Sequence, residues 1–285
     1  MAIFQLLVFP GLLFLLVYSL LMQSVCQRLS NPSQSFWQPL NDLLGLFGKE
    51  ALTPANVSRP VFEALPVIAL AAAVTAFYLV PLWNTHSIYP FAGDLFVFLF
   101  MLALSTLALF FPRGNLKSSY LFVNVFCCEA ILFLSLLSAA VLAGSWSLSG
   151  ISAFYAVNPL LILCNLPAII ALLISVGSRQ KERAAALNAY SGRLLALCRL
   201  TVNAELVVIS SVAAAVFVPV FPSGSVIGIL VYLLKTLFIA VIITLVMRAF
   251  PRLPARAAIE YSRKLLLPLI VLQLLISILV KWLLL

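Results

Sequence analysis

The sequence predicts an all-α fold, a single polytopic integral membrane domain over residues 1–285 with about eight transmembrane helices. Three observations predict it, and composition is the first. Of the residues, 64% are hydrophobic and 9% charged, with a mean hydropathy of +1.19, whereas soluble domains carry roughly 25% charged residues. So little polar surface cannot coat a water-soluble globule, which excludes a soluble enzyme, a nucleic-acid-binding domain and a disordered chain. The second observation is a series of apolar runs of the roughly 20 residues needed to cross a ~30 Å hydrocarbon layer. They are about twice the length of a barrel strand and show no alternation. Because backbone groups cannot stay unpaired in lipid, they read as helices. The third is the placement of the charges along the chain.

In order, the expected spans are Ala2–Met22, Phe62–Leu82, Leu95–Phe111, Tyr120–Ala143, Phe154–Val176, Val202–Val220, Val226–Met247 and Leu265–Leu284. The first has no basic residues ahead of it, so it reads as a retained helix rather than a cleaved signal peptide. Basic residues follow spans one (Arg28, Lys49, Arg59), three (Arg113, Lys117), five (Arg179, Lys181, Arg183, Arg193, Arg199) and seven (Arg248, Arg252, Arg256, Arg263, Lys264). Of the 17 Lys and Arg, this leaves Lys281 near the C-terminus and Lys235 within span seven. The asymmetry sets both termini outside and the four basic connections in the cytoplasm, in a cell inner membrane. It accounts for the net charge of +9 without any nucleic acid.

Two connections carry more information than the rest. Residues 26–60 form the first. After Pro39, Leu40, Leu43, Leu44 and Phe47 recur at helical spacing, with Asn41, Asp42 and Lys49 elsewhere on the circumference. This pattern predicts a short amphipathic helix at the membrane surface, anchored by Trp37, Pro39, Leu40, Leu43, Leu44 and Phe47. Residues 177–200 form the second, read as a polar, basic cytoplasmic loop containing Arg179, Lys181, Glu182 and Arg183. Cys26, Cys127, Cys128, Cys164 and Cys198 show no paired CxxC spacing and read as small apolar fillers rather than metal ligands. The single His86 falls in an outer loop and reads as a surface residue, and the Asn56 sequon lies on the cytoplasmic side as a chance match.

The segment Gln38-Pro39-Leu40 with Asp42-Leu43 and Lys49-Glu50 after a first span resembles the signature of the complex I membrane subunit named NADH dehydrogenase 1. The same signature marks the equivalent subunits of formate hydrogenlyase and other energy-converting nickel–iron hydrogenases. Further matches follow in chain order: Gly93-Asp94-Leu95, Ser119 ahead of Glu129, Tyr190-Ser191-Gly192, Lys235 and Arg252. The resemblance implies a membrane-anchor subunit that docks a peripheral electron-transfer arm and helps couple it to proton or sodium translocation. Trp37, Gln38, Pro39, Leu40, Asp42, Leu43, Lys49, Glu50, Arg179, Lys181, Arg183, Tyr190 and Arg252 would form the docking face. The implied partners are iron–sulfur and hydrogenase-like or quinone-reducing peripheral subunits, antiporter-like membrane subunits and lipid. The chain itself would hold no cofactor, with iron–sulfur clusters and a nickel–iron or quinone site in its partners.

Departures from the family pattern shape the expected mechanism. Where relatives carry several glutamates between spans five and six, residues 177–192 hold one acid and three bases; Cys128 replaces an arginine, and Met247 a glutamate. The residues expected to carry buried charge or an ion path are therefore Glu129, Lys235, Glu205 and Asp94. A charge at a helix centre costs on the order of 2.5–3.5 kcal/mol on insertion scales, so each needs a partner, neutralisation or water. Glu129 lies about nine residues, or ~14 Å, into span four, near mid-membrane. Glu205 falls about one turn inside span six, where it either snorkels or pairs with an arginine of the preceding loop. Lys235 serves either a structural ion pair or a charge relay. A stand-alone secondary transporter is the alternative reading, although no internal repeat supports it.

Overall fold

A computed structural model describes residues 7–52, 58–82, 87–111, 119–219, 226–249 and 260–284. It is built of helices α1 (Leu12–Ser30), α2 (Gln38–Phe47), α3 (Arg59–Leu79), α4 (Asp94–Phe110), α5 (Ser119–Ala143), α6 (Leu148–Val157), α7 (Leu161–Cys164), α8 (Leu166–Ala186), α9 (Gly192–Phe217), α10 (Val226–Ala249) and α11 (Leu267–Leu284). Among the described residues, six helical stretches are long and apolar enough to span a membrane: Leu12–Leu29, Arg59–Leu79, Val123–Ala143, Gly192–Phe217, Ile227–Arg248 and Ser262–Leu283. The shorter apolar helices are Asp94–Phe110, Leu148–Val157 and Leu166–Gln180. The all-α polytopic class is as expected, and no strand occurs among the described residues.

The expected span five, Phe154–Val176, differs most. It is broken at Asn158-Pro159, where proline removes a donor and disfavours helical backbone in the preceding residue, and again at Asn165. The chain then continues helically through the stretch expected as a loop. Lys181, Glu182, Arg183 and three consecutive alanines are strong helix formers, so α8 runs on to Ala186 and is followed by one 3-10 turn, Leu187–Ala189. Likewise α9 starts at Gly192, well before the expected Val202, and α1 runs on to Ser30, past the expected Met22.

At the centre stands α9, which packs against α1, α2, α3, α6 and α10. Its buried Ala204, Ser210, Ser211, Ala213, Ala214 and Ala215 let neighbouring backbones approach closely, as small residues do between membrane helices. Polar side chains tie helices together within the apolar interior. Tyr18 Oη of α1 lies 2.5 Å from Thr236 Oγ1 of α10, and Ser211 Oγ of α9 lies 2.7 Å from Tyr232 Oη of α10. Asn165 satisfies the break ahead of α8: its Nδ2 donates to Tyr155 Oη at 2.5 Å, and its Oδ1 accepts from Ser138 Oγ at 3.1 Å and Gln273 Nε2 at 3.2 Å. Asn165→Leu is therefore expected to lower stability by about 1–2 kcal/mol, read as a lower thermal midpoint of the purified protein in detergent. Asn165→Gln should lose less if its longer amide can still reach these partners.

Candidate functional site: a buried arginine–glutamate cluster

Four helices bring five polar side chains together in the interior. Arg179 and Arg183 lie one turn apart on α8, and both are fully buried. Arg179 Nη2 lies 3.0 Å from Glu129 Oε1 of α5 and 3.7 Å from Glu205 Oε2 of α9. Arg183 pairs with Glu205 and lies 3.9 Å from Glu129 Oε1. Thr106 of α4 completes the group. Its hydroxyl accepts from Arg179 Nη2 at 2.7 Å and from Arg183 Nη2, and it lies 2.7 Å from Glu129 Oε1, to which it can donate.

Two cations and two anions make the group formally neutral. Each charge costs several kcal/mol to desolvate, and only mutual attraction at close range offsets that cost. Arg179 Nε, Arg179 Nη1 and Arg183 Nε have no hydrogen-bond partner among the described residues. The pairing therefore rests on one edge of each guanidinium.

These positions differ from the expected ones. Sequence alone places Arg179 and Arg183 in a water-facing docking loop, but the helical extension of α8 turns both into the protein. Glu205 is not one turn inside its helix: with α9 starting at Gly192 it lies about 13 residues, or ~20 Å, along it. Asp94 is elsewhere, about 12 residues or ~18 Å from Thr106 along α4. Its Oδ1 accepts from the Leu148 amide at 2.6 Å and so caps the start of α6. Lys235 is also distant, its Nζ donating at 3.0 Å to the Val218 carbonyl that follows α9. Cation and carbonyl meet there as the helix dipole favours. Thr106 gives no signal in the sequence, because one threonine in an apolar run reads as a helix filler.

Two cavities are present, one of them lined by cluster residues. One, of about 330 Å³, lies between α4 and α5, walled by Phe96, Phe100, Phe126 and Phe133 and reaching Thr106 and Glu129. The other, of about 420 Å³, lies beneath α2 and is lined by Gln23, Gln27, Asp42, Gln180, Arg199 and Asn203. Thr106 and Glu129 thus line the apolar space, whereas the polar one is lined by Gln180, next to Arg179 in sequence, and by none of the five cluster residues.

At the basic end, the two connections singled out by sequence meet. Gly192 has φ +53°, and a Cβ there would collide with Glu50 O, so only glycine fits the close approach of residues 49–50. Leu52 N donates to Ser191 Oγ at 2.9 Å, and that hydroxyl lies 3.3 Å from Leu52 O. Tyr190 is buried, its ring 5.1 Å from Phe62 with 29° between planes, and burial pushes its phenol pKa up. Of the surface helix, Pro39 and Leu43 are buried against the body, whereas Trp37, Leu44 and Phe47 are exposed. Asp42, Lys49 and Glu50 are exposed, and Gln38 and Leu40 half-buried. The Lys181 side chain, Arg252, His86 and Asn56 lie outside the described residues. Among the described residues, no three His, Cys, Asp or Glu side chains gather into a group that could hold a metal ion.

The fold and site together define a multi-pass helical membrane protein with a paired charge cluster in its interior. Comparison with known proteins takes this further. The family model described as NADH dehydrogenase matches residues 2–278. Hydrogenase-4 component C of Escherichia coli (strain K12) is 28% identical over 211 residues, covering 67% of this chain and 66% of that protein. NADH-ubiquinone oxidoreductase chain 1 of Balaenoptera physalus is 33% identical over 122 residues, covering 39% of this chain and 37% of that one. The chain thus spans just under two thirds of the first relative and little over a third of the second. It belongs to the NADH dehydrogenase family.

Two substitutions test the site geometry. Gly192→Ala should push residues 49–52 away from Ser191, read as faster proteolysis or cysteine labelling at Leu52→Cys with the membrane spans intact. Thr106→Val should cost about 1–3 kcal/mol, because both arginines lose an acceptor in a buried setting. Thr106→Ser, which keeps the hydroxyl, should retain most of the thermal stability.

Proposed function

We propose that this chain is the membrane-anchor subunit of a complex I-like or energy-converting hydrogenase-like redox complex. It would sit in the cytoplasmic membrane with both termini outside and the basic end in the cytoplasm. There it would dock a peripheral arm that carries the iron–sulfur clusters and a nickel–iron or quinone-reducing site. Antiporter-like membrane subunits would lie alongside.

The observation that carries this reading is the junction of residues 49–52 with Tyr190-Ser191-Gly192. It closes the connection between α1 and α3 onto the start of α9, so that two segments far apart in sequence make one face. Connections that only linked spans would need no such backbone fit. Exposed Trp37, Asp42, Lys49 and Glu50 supply mixed apolar and charged contacts for a protein partner.

Coupling follows from where α8 leads. Arg183 lies about nine residues before Gly192, so a displacement of the docking face reaches the cluster through a short rigid path. Moving α8 would separate Arg183 from Glu205 and Arg179 from Glu129. A carboxylate left unpaired in a low-dielectric interior takes up a proton. Arm movement would thus act on the charge pairing of the cluster, whose Glu129 lines the apolar cavity.

Two variants separate the roles. Asp42→Lys with Glu50→Lys should release the peripheral arm on affinity purification while the chain remains inserted; a retained arm would count against docking at this face. Glu129→Gln should assemble and keep redox activity with artificial electron carriers, yet lose ion movement coupled to turnover. Full coupling in that variant would leave anchoring as the role of this protein.

A further inference from the structure

The outward faces of α1 and α10 share a pattern that neither anchoring nor the charge cluster uses. At 100° per residue, Leu13, Val17, Leu21 and Arg28 fall within about 80° of arc on α1. On α10, Ile227, Leu230, Leu234, Phe238, Leu245 and Arg248 fall within a similar arc of about 80°. The apolar members are all between 43% and 65% exposed, and both arginines are exposed. Each helix therefore presents an outward apolar stripe that ends in a guanidinium at the same end of the protein. The two ends are joined: α1 and α10 pack together, and Arg248 Nη1 donates at 2.7 Å to the Leu29 carbonyl.

Neither Arg28 nor Arg248 has a carboxylate within ion-pair distance among the described residues. The Leu29 carbonyl occupies a single N–H of Arg248, and each guanidinium carries five. Two cations without acidic partners thus stand above a double apolar stripe. That is the complement of an amphiphile with an anionic head and hydrocarbon tails. A lone arginine at a helix end snorkels toward headgroups of any kind. Arg248 is tied to the carbonyl of Leu29, the residue that follows Arg28, and two guanidiniums at one end of a helix pair can share one phosphate, for which planar N–H forks are suited.

We propose that Arg28 and Arg248 bind the headgroup phosphate of an anionic membrane phospholipid whose acyl chains lie along the exposed stripes of α1 and α10. The site lies on the outer surface of the bundle, separate from the arginine–glutamate cluster. Its lipid stabilises the packing of the first span on the seventh expected one.

The test uses the purified full-length chain in detergent, with phosphatidylglycerol, phosphatidylcholine or inorganic phosphate added and thermal unfolding recorded. Phosphatidylglycerol should raise the midpoint by several degrees more than phosphatidylcholine. That excess should vanish in the Arg28→Gln, Arg248→Gln double variant and survive in Arg263→Gln, which alters an exposed arginine away from the site. Equal shifts with the two lipids, or an excess that persists in the double variant, would overturn the proposal. The same shift with inorganic phosphate would also overturn it, because the tails would then contribute nothing. Should the double variant fail to fold, native mass spectrometry of the unaltered protein in an equimolar lipid mixture decides the matter. Several-fold enrichment of retained phosphatidylglycerol supports the site, and retention in proportion to supply overturns it.

Discussion

Arg179 and Arg183 cannot lie in the interior of a membrane protein without two acids, and much of the architecture follows from that constraint. The acids come from different helices, Glu129 from α5 and Glu205 from α9, while Thr106 comes from α4. Four elements must therefore keep their relative depth and rotation for the charges to stay paired. An apolar interface tolerates small sliding, because one methyl contact replaces another. An ion pair in low dielectric does not, because its energy depends steeply on separation. The cluster accordingly fixes the register of α8 against α4, α5 and α9.

The same helix connects that register to the surface. At one end α8 is bounded by the break at Asn165, whose amide is held by Tyr155, Ser138 and Gln273. At the other it passes through a single 3-10 turn into Tyr190-Ser191-Gly192, which is locked against residues 49–52. Both boundaries are hydrogen-bonded or sterically fitted, and the charged pairs sit between them. A bundle in which one helix joins a fitted surface junction to an interior charge cluster is suited to transmit displacement inward.

Much of this is legible in the sequence, and the failures have identifiable physical causes. Apolar run length sets the class, and the order of Gln38-Pro39-Leu40, Lys49-Glu50 and Tyr190-Ser191-Gly192 points to the family. The contact between the last two spans 139 positions for Leu52 and Ser191, a separation no local spacing encodes. Arg179 and Arg183 are misplaced because counting basic residues between spans treats each as solvated. The helix-forming run through Ala186 overrides that assumption, and i, i+4 spacing of two arginines within such a run is the signal that reveals it. Glu205 pairing with an arginine is one of two readings open from sequence, but its depth is underestimated because Arg193 and Arg199 mimic the end of a span. Asp94 groups with the other buried acids on burial alone, whereas its partner is the backbone of α6.

The central claim is that Arg183 and Glu205 are a mutually dependent buried pair, and a double-mutant cycle on equilibrium unfolding tests it most directly. Arg183→Met and Glu205→Met each leave the cluster with one uncompensated charge and should each cost about 3–5 kcal/mol. Replacing both removes the two charges together, so the double variant should recover most of that loss. Losses that simply add, to within about 0.5 kcal/mol, would mean that the two side chains do not interact and would contradict the account.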